Sequence, residues 1–211
     1  MCVGRNYVAH AAELGNEVPA EPLLFLKPPS ALLAPGAAIL IPPQSKRVDF
    51  EGEIAVRIGR RARDVAEARA WSHVGEVLPL NDVTARDLQR ADDQWSRAKG
   101  FDTFCPVGEP VPAESLDPAA LQVITRVNGE VRQHGYARDM AFSIPFLVSY
   151  ISHVMTLEPG DLIATGTPDG IGPLAPGDEV EVEIPGVGSV ANPVALRLPR
   201  DEEISPDEMT P

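Results

Sequence analysis

Proline is the residue that most constrains what this chain can fold into. The sequence has 211 residues, of which 22 are proline, about twice the usual share. An interior proline removes a backbone donor and clashes with the preceding helical turn, so a bundle of long helices is excluded. Apolar runs that end at turn residues, as LLFLK (23–27) does at Pro28-Pro29, are typical of strands instead. We expect a mainly β fold with covering helices, of the α+β class. Asn128-Gly129 predicts a two-residue hairpin turn, Ser143 is the candidate cap of a helix over 144–155, and composition predicts a further helix over 64–73.

Charge and composition exclude several classes of partner. Eighteen basic and 31 acidic residues give a formal net charge of −13, so nucleic acid and anionic membrane surfaces are poor partners. No apolar run approaches the ~18 residues that a membrane span requires, and no secretory signal opens the sequence. Two cysteines are too few for a disulfide framework. We therefore expect a cytoplasmic protein with no membrane or nucleic-acid partner.

The expected organisation is one domain over residues 1–199 and an acidic C-terminal tail over residues 200–211. A chain of this length fits a single domain. The last eleven residues hold five acids and no base, which is typical of a solvated chain end.

The segment VDFEGEIAVRI (48–58) is the clearest strand of the sequence. Because side chains alternate between the two faces of a strand, Asp49, Glu51 and Glu53 point away from the apolar residues. Several like charges on one face need compensation by solvent, basic partners or a bound cation. A solvated sheet edge is the simpler explanation, but the apolar flanks favour a strand in the core. Carboxylates without histidine or cysteine favour Mg²⁺ or Mn²⁺ over Zn²⁺, and Asp82, after the next predicted strand, is placed to supply a third ligand.

A histidine–glutamate pair stands near the start of the chain, in NYVAHAAELG (6–15). Residues three apart on a helical turn are neighbours, so His10 and Glu13 can touch. A carboxylate beside an imidazole fixes its tautomer and raises its basicity, which suits a base that activates water. An isolated pair of this kind is more often a surface ion pair.

Two further segments place basic and amide groups near the acids. A helix is predicted over 83–91, with Asn81 or Asp82 as its candidate cap. It puts Asp82, Arg86 and Gln89 on one face at i, i+4 and i+7; an ordinary Asp–Arg pair is the alternative. Lys99 lies among apolar and small residues in WSRAKGF. A desolvated lysine beside a metal can donate to a developing anion, whereas a solvated surface lysine is the default alternative.

A glycine-rich segment, TGTPDGIG (165–172), follows a predicted strand over 161–165. It lacks both the G-K-[ST] ending of a phosphate loop and the G-x-G-x-x-G pattern, so we reject nucleotide binding. Its backbone N–H groups and threonine hydroxyls, including that of Thr167, can hold a small carboxylate; a plain turn is the alternative.

Together these segments resemble the fumarylacetoacetate hydrolase family, most closely its short branch of acylpyruvate hydrolases and oxaloacetate decarboxylases. Seven stretches carry the resemblance in family order: GRNYVAHAAELG (4–15), FLKP (25–28), VDFEGEIAVRIG (48–59), NDVTARDLQ (81–89), WSRAKGFDTFCPVG (95–108), NGEVRQ (128–133) and LEPGDLIATGTPDGIGPLAPGD (157–178). The resemblance implies a rolled core of mixed β-sheets, a catalytic domain over 1–199 and a homodimer.

The resemblance also implies three groups of site residues. The ligands for Mg²⁺ or Mn²⁺ are Glu51, Glu53 and Asp82. The catalytic groups are His10, which with Glu13 activates water, and Lys99, which acts on the substrate's oxyanion. The substrate-binding residues are Arg86, Gln89 and Thr167. Larger family members carry a further acidic ligand near the position of Arg5 or Asn6, which this chain lacks, so we expect water to complete the metal's coordination.

The implied substrate is a small 2-oxo acid. The implied reaction is metal-dependent hydrolysis of a carbon–carbon bond in a 3-acylpyruvate or related β-diketo acid, through a metal-stabilised enolate. The same enolate chemistry without water serves an oxaloacetate decarboxylase, or a 2-hydroxy-dienoate isomerase of aromatic catabolism, and both stay open. A non-catalytic binding protein on the same scaffold is the remote alternative.

Overall fold

Short strands dominate the fold, as the proline content predicts. The computed structural model describes residues 1–13, 15 and 17–198, so the predicted tail over 200–211 lies outside the described residues. Along the described chain the strands β1–β16 are Cys2–Gly4, Leu23–Phe25, Leu32–Leu33, Ile39–Ile41, Val48–Phe50, Gly52–Ile58, Val74–Asn81, Thr84–Ala85, Cys105–Pro106, Val111–Pro112, Gln122–Val127, Glu130–Tyr136, Leu162–Ala164, Gly172–Pro173, Glu179–Ile184 and Gly188–Leu196.

The helices of the described residues are short. The α-helices α1–α5 are Val8–Glu13, Glu67–Ala70, Arg86–Ala91, Ser96–Lys99 and Ile144–Val154, and the 3-10 helices are Pro29–Ala31, Trp71–His73, Ala113–Ser115 and Ala137–Asp139. Within the described residues no helix has the length and apolar character needed to cross a bilayer.

The strands form two large mixed sheets and two small ones. One large sheet has the order β10-β7-β6-β13-β1-β2, and the other has the order β12-β11-β15-β16-β4. Each contains one parallel pair, β1 with β13 and β16 with β4, among antiparallel neighbours. The predicted α+β class with mixed sheets is confirmed.

The strand predicted over 48–58 is broken at Glu51, and the break organises the site. The first half, β5, pairs with β8 and β14 in a small sheet, whereas the second half, β6, pairs with β7 and β13 in the six-stranded sheet. Phe50 accordingly packs in one apolar cluster with Phe104, while Ile54 packs in another with Leu147 of α5. The acidic side chains therefore lie where two sheets meet.

Local signals in the sequence correctly predicted two other elements. The Ser143 hydroxyl accepts a hydrogen bond from Phe146 N at 3.2 Å and caps α5, whose end at Val154 is one residue before the predicted end. Asn128 and Gly129 have φ values of 53° and 79°, the left-handed conformation that a two-residue hairpin turn requires. They join β11 to β12 as predicted.

Two predicted helices were too long. The helix predicted over 64–73 is a single turn, α2, followed by the 3-10 helix 71–73. The helix predicted over 83–91 begins only at Arg86, because Thr84 and Ala85 pair with Asp49 and Val48 as β8. This strand pairing between distant segments outweighs the local helical composition.

We predict that Gly52→Ala destabilises the protein by about 1–3 kcal/mol through overpacking. A Cβ at Gly52 would lie 1.9 Å from Thr125 Oγ1. Thr125→Ala is the matched relief variant, because the Thr125 hydroxyl is buried without a hydrogen-bond partner among the described residues. Chemical denaturation should show that Gly52→Ala/Thr125→Ala recovers most of the lost free energy of unfolding. An unchanged deficit in the double variant would contradict this account.

Candidate active site

The end of β7 and the break between β5 and β6 bring three carboxylates together. Asp82 N donates to Glu51 O at 2.8 Å, and Glu51 N donates to the Asn81 side-chain oxygen at 2.9 Å. Glu53 follows on β6, where it lies opposite Leu80 of β7. Carboxylate oxygens of Glu51, Glu53 and Asp82 all lie within 4.8 Å of one another, and all three side chains are buried.

Basic side chains compensate most of this buried charge. Lys99 Nζ bridges Glu51 Oε2 at 2.7 Å and Asp82 Oδ2 at 2.5 Å. Lys27 Nζ lies 2.6 Å from the other Asp82 oxygen, and Arg86 donates to Glu51 Oε1 at 2.6 Å. The sequence pattern allowed solvent, basic partners or a bound cation to compensate these charges, and basic partners are present. Lys99 is buried, so the alternative that it is a solvated surface lysine is wrong.

The ion pairs hold the groups in their charged forms. Burial opposes the charge of Lys99, but the carboxylates of Asp82 and Glu51 outweigh it and raise the pKa of the ammonium group above its usual range. Burial likewise opposes ionisation of Glu51, yet Lys99 and Arg86 hold the pKa of its carboxyl well below the usual range. Glu51 and Lys99 are therefore both charged at neutral pH.

Glu53 differs from its neighbours because no ion pair reaches it from the described residues. Its Oε2 accepts a hydrogen bond from Gly166 N at 2.7 Å. Burial, followed by the charges of Asp82 and Glu51, raises the pKa of this carboxyl well above its usual value. Glu53 is thus the one acid of the three without a cationic partner among the described residues, and the all-oxygen donor set of the cluster suits a hard divalent cation such as Mg²⁺ or Mn²⁺.

Arg86 fixes the geometry on the other side of Glu51. Its guanidinium donates to Asp49 Oδ2 at 3.0 Å and to Gln89 Oε1 at 2.6 Å, besides Glu51. The prediction that Asp82, Arg86 and Gln89 share one helix face is wrong, since Asp82 precedes β8 and lies outside α3. Arg86 and Gln89 instead contact each other at i, i+3, and Asp82 reaches the same place from the end of β7.

His10 and Glu13 contact each other at the end of α1. His10 Nδ1 lies 3.4 Å from Glu13 Oε2, without hydrogen-bond geometry, and Glu13 Oε1 accepts from Gly170 N at 3.2 Å. Burial lowers the pKa of His10 below its usual range despite the opposing charge of Glu51, so the imidazole is neutral at pH 7. The alternative of a surface ion pair is wrong for His10, whose side chain is buried.

One cavity of about 240 Å³ joins these groups. Eight of the nine predicted site residues line it: His10, Glu51, Glu53, Asp82, Arg86, Gln89, Lys99 and Thr167. The ninth, Glu13, does not line the cavity but contacts His10. Sequence reasoning did not assign Arg5, Phe25, Arg90 and Trp95, which also line it. Arg5, Phe25 and Trp95 lie within stretches that carry the family resemblance, whereas Arg90 lies just outside the stretch 81–89.

Gln133 is a further residue that the sequence analysis did not single out. Its side-chain amide accepts from Gly52 N at 2.9 Å and donates to Thr167 Oγ1 at 2.8 Å. The Thr167 hydroxyl donates in turn to Gly52 O at 2.9 Å. Gln133 thus ties the glycine between the two glutamates to the loop after β13. Its only signal in the sequence was membership of the NGEVRQ stretch.

Asn6, one of the two positions near which larger family members were expected to carry an acid, has a structural part in this chain. Its amide donates to Thr165 O at 2.8 Å and to Phe142 O at 3.0 Å, and its oxygen accepts from Phe142 N. Asn6 therefore fixes the start of the loop that carries Thr167.

One cavity thus holds a buried carboxylate cluster, a neutral histidine and a charged lysine. Such groups are of the kinds that supply acid–base and Lewis-acid chemistry in enzymes. The family profile of the fumarylacetoacetate (FAA) hydrolase C-terminal domain matches residues 1–195. The chain belongs to this family, as the sequence resemblance predicted, and is an enzyme of it.

Three relatives show the range of reactions within the family. The mitochondrial oxaloacetate tautomerase of Arabidopsis thaliana is 45% identical over 203 residues, covering 94% of this chain and 91% of the relative. The crystal structure of 5-carboxymethyl-2-hydroxymuconate delta-isomerase from Mycobacterium smegmatis has a TM-score of 0.86 and 45% identity, covering 94% of this chain and 78% of that one. The crystal structure of fumarylpyruvate hydrolase from Pseudomonas aeruginosa, in complex with Mn²⁺ and pyruvate, has a TM-score of 0.87 and 33% identity. The match covers 93% of this chain and 88% of that one.

We predict that Lys27→Met lowers the free energy of unfolding by about 3 kcal/mol, because breaking one side of a buried ion pair leaves an uncompensated charge. Asp82 keeps its contact with Lys99, which limits the loss. Chemical denaturation measures the effect. Lys46→Met, at an exposed lysine, is the matched control and should stay within about 0.5 kcal/mol of the unchanged protein. Equal effects of the two substitutions would show that the Lys27–Asp82 pair makes no net contribution.

Proposed function

We propose that this protein is a divalent-cation-dependent hydrolase that cleaves the carbon–carbon bond of a 3-acylpyruvate or related β-diketo acid. The observation that carries the proposal is the meeting, in one cavity, of three clustered carboxylates, of which Glu53 has no ion-pair partner among the described residues, and a buried, neutral histidine. A cation site and a general base are the two elements that such a hydrolysis requires.

Glu51, Glu53 and Asp82 are the proposed ligands of Mg²⁺ or Mn²⁺, with water completing the coordination. The bound cation supplies Lewis-acid stabilisation of the negative charge that develops on the 2-oxo acid. Lys99, already charged and buried beside two of these acids, adds a second positive charge that acts on the same oxyanion. Arg86, Gln89 and Thr167 bind the substrate, with Thr167 near its carboxylate.

His10 is the proposed base. Its Nδ1 faces Glu13, so Nε2 takes a proton from water, and the resulting hydroxide adds to the distal carbonyl carbon. The bond between that carbon and the adjoining methylene then breaks, and its electron pair passes to the pyruvyl fragment as an enolate. Protonation of the methylene carbon completes the reaction, and the products are a carboxylic acid and pyruvate. The homodimer implied by the resemblance and the cytoplasmic location remain part of the proposal.

The second candidate function is enolisation without hydrolysis: tautomerisation, isomerisation or decarboxylation of a 2-oxo acid. What favours it is that relatives at 45% identity are named a tautomerase and an isomerase, whereas the hydrolase relative has 33% identity. These reactions use the same cation and oxyanion contacts but transfer no water. Pyruvate release from acetylpyruvate or fumarylpyruvate, measured with a coupled reductase, supports hydrolysis. Enol–keto conversion of oxaloacetate without pyruvate release from either acylpyruvate supports the alternative.

We predict that Glu53→Gln weakens Mn²⁺ binding by more than the roughly 10–100-fold typical of changes outside the ligand set, because it removes an anionic ligand while keeping the side chain's size. Isothermal titration measures the affinity, and turnover should fall in parallel. Glu130→Gln, at an exposed glutamate of β12, is the control and should bind Mn²⁺ as the unchanged protein does. Unaltered Mn²⁺ affinity in Glu53→Gln would remove this residue from the proposed ligands.

We predict that His10→Asn reduces kcat for acylpyruvate cleavage by about 10²–10⁴-fold, the usual contribution of a positioned general base. Mn²⁺ affinity should change little, because His10 is not a proposed ligand. His153→Asn is the matched control, since this histidine is exposed on α5 and bonds only to Ser149 O among the described residues. Cleavage retained within tenfold in His10→Asn would contradict the assignment of the base.

A further inference from the structure

Asp49 is a buried carboxylate for which neither the cation site nor the cavity accounts. Its side chain is fully buried, and the sequence pattern grouped it with Glu51 and Glu53. In the structure it lies outside the set of carboxylates that approach one another within 4.8 Å, and it does not line the active-site cavity. Any effect of Asp49 on the chemistry therefore passes through another residue.

Two arginines satisfy this carboxylate. Asp49 Oδ1 accepts from Arg47 Nε at 2.9 Å, and Oδ2 accepts from Arg47 Nη2 at 3.2 Å. The same Oδ2 accepts from Arg86 Nε at 3.0 Å. The side chain of Arg47 is 45% exposed, whereas that of Arg86 is only 2% exposed. The contact with Arg86 is therefore the one that links Asp49 to the active site.

The Arg86 guanidinium is held at each of its three nitrogen atoms by a different residue. Nε donates to Asp49, Nη1 donates to Gln89 Oε1 at 2.6 Å, and Nη2 donates to Glu51 Oε1 at 2.6 Å. A planar group that is bonded at three corners cannot turn. A guanidinium has five N–H donors, so two of them, one on each Nη, have no acceptor among the described residues. Because Arg86 lines the cavity, these are the donors that it can offer to a ligand.

The same guanidinium sets the orientation of the Gln89 side-chain amide. A guanidinium has donors but no acceptor, so the oxygen of Gln89 rather than its nitrogen must face Arg86. The amide nitrogen, which carries two donors, is thereby turned away from Arg86. Gln89 lines the cavity as well. One orientation of the Arg86 plane thus fixes the donors of two cavity residues.

Anchoring of helix α3 does not require Asp49. The backbone N–H of Arg86 donates to Arg47 O at 2.8 Å, and the carboxylate of Asp87 accepts from Ser45 Oγ at 2.6 Å. These bonds tie the first turn of the helix to the chain just before β5. The contribution that is specific to Asp49 is therefore the orientation of the Arg86 side chain.

We propose that Asp49 is a positioning residue: it fixes the plane of the Arg86 guanidinium so that Arg86 and Gln89 present their remaining donors to the substrate. The role rests on the proposed function, which assigns both of these residues to substrate binding. A carboxylate suits the task, because its hydrogen bond to a guanidinium is shorter and stronger than a bond between neutral groups. The donors are oriented before the substrate arrives, so binding costs less ordering of side chains.

Binding of 2-oxopentanoate to the Mn²⁺-saturated protein tests this role without turnover, because this 2-oxo acid has no second carbonyl group to cleave. Titration calorimetry should show that Asp49→Asn, which keeps the size but loses the charge and one acceptor oxygen, weakens binding about tenfold, the effect of one hydrogen bond to a charged group. Asp87→Asn is the matched control. It weakens an anchor of the same helical turn without touching the guanidinium, and should leave the affinity unchanged.

A double-variant cycle separates an effect through Arg86 from an independent one. Arg86→Lys keeps the charge but loses the planar group, and should itself weaken 2-oxopentanoate binding. Asp49→Asn should then add no further loss, because no plane is left to hold. Additive losses would overturn the proposal, since additivity is typical of independent residues. An unchanged affinity in Asp49→Asn, or an equal loss in Asp87→Asn, would also overturn it. Absence of binding to the unchanged protein would overturn it together with the assigned 2-oxo acid.

A measurement on the unchanged protein does not depend on the folding of any variant. By NMR relaxation, the Arg86 Nε–H bond should have an order parameter near the ~0.85 of rigid backbone before any ligand is added. A value below ~0.6 would indicate a mobile guanidinium and overturn the proposal, even if acylpyruvate cleavage is observed. A rigid Arg86 and weaker 2-oxopentanoate binding in Asp49→Asn, in a protein that releases no pyruvate from acylpyruvates, would support the positioning role and refute the hydrolase.

Discussion

Compensation of buried negative charge is the constraint on which the site depends. Four carboxylates, Asp49, Glu51, Glu53 and Asp82, are buried within one small region. Burying ionised groups is costly unless each one is paired and hydrogen-bonded. The buried side chains of Arg86, Lys99 and Lys27 supply three positive charges, and Arg47 reaches Asp49 from the surface. Glu53 is left as the one acid of the cluster without a direct cationic partner among the described residues, and its carboxylate is the one most open to the divalent ion that we propose.

The interruption of one strand allows this arrangement to form. A continuous strand over 48–58 would keep its acids on one face of one sheet, about 7 Å apart. The break at Glu51 instead divides the segment between two sheets, and the apolar residues on either side of it enter two different cores. The hydrophobic burial of Phe50 and Ile54 thereby holds the glutamates beside the end of β7. Hydrophobic packing thus sets the distances between the carboxylates of Glu51, Glu53 and Asp82.

The sequence predicts the features that local rules govern. Alternation predicted extended structure over 48–58, although as one strand without the break at Glu51. The Asn128-Gly129 turn predicted the hairpin, and Ser143 predicted the start of α5. Contacts between distant segments were not predictable in this way. The start of α3 depends on pairing of Thr84 and Ala85 with β5. Lys27 lies 55 residues along the chain from its partner Asp82. Gln133 lies 81 residues from its partner Gly52. Family resemblance, rather than spacing, united the candidate residues into one site.

Helix α3 is anchored to the acidic cluster at its first residue. Arg86 is held by its backbone bond to Arg47 O at 2.8 Å and by its contacts with Asp49 and Glu51, so the beginning of α3 is fixed to the acidic cluster. Arg90 lies one turn further along α3, where its side chain is exposed and lines the same cavity. It has no ion-pair partner among the described residues. We therefore expect a substitution at Arg90 to disturb the carboxylate cluster less than one at Arg86, whose guanidinium is bonded to two of the buried acids.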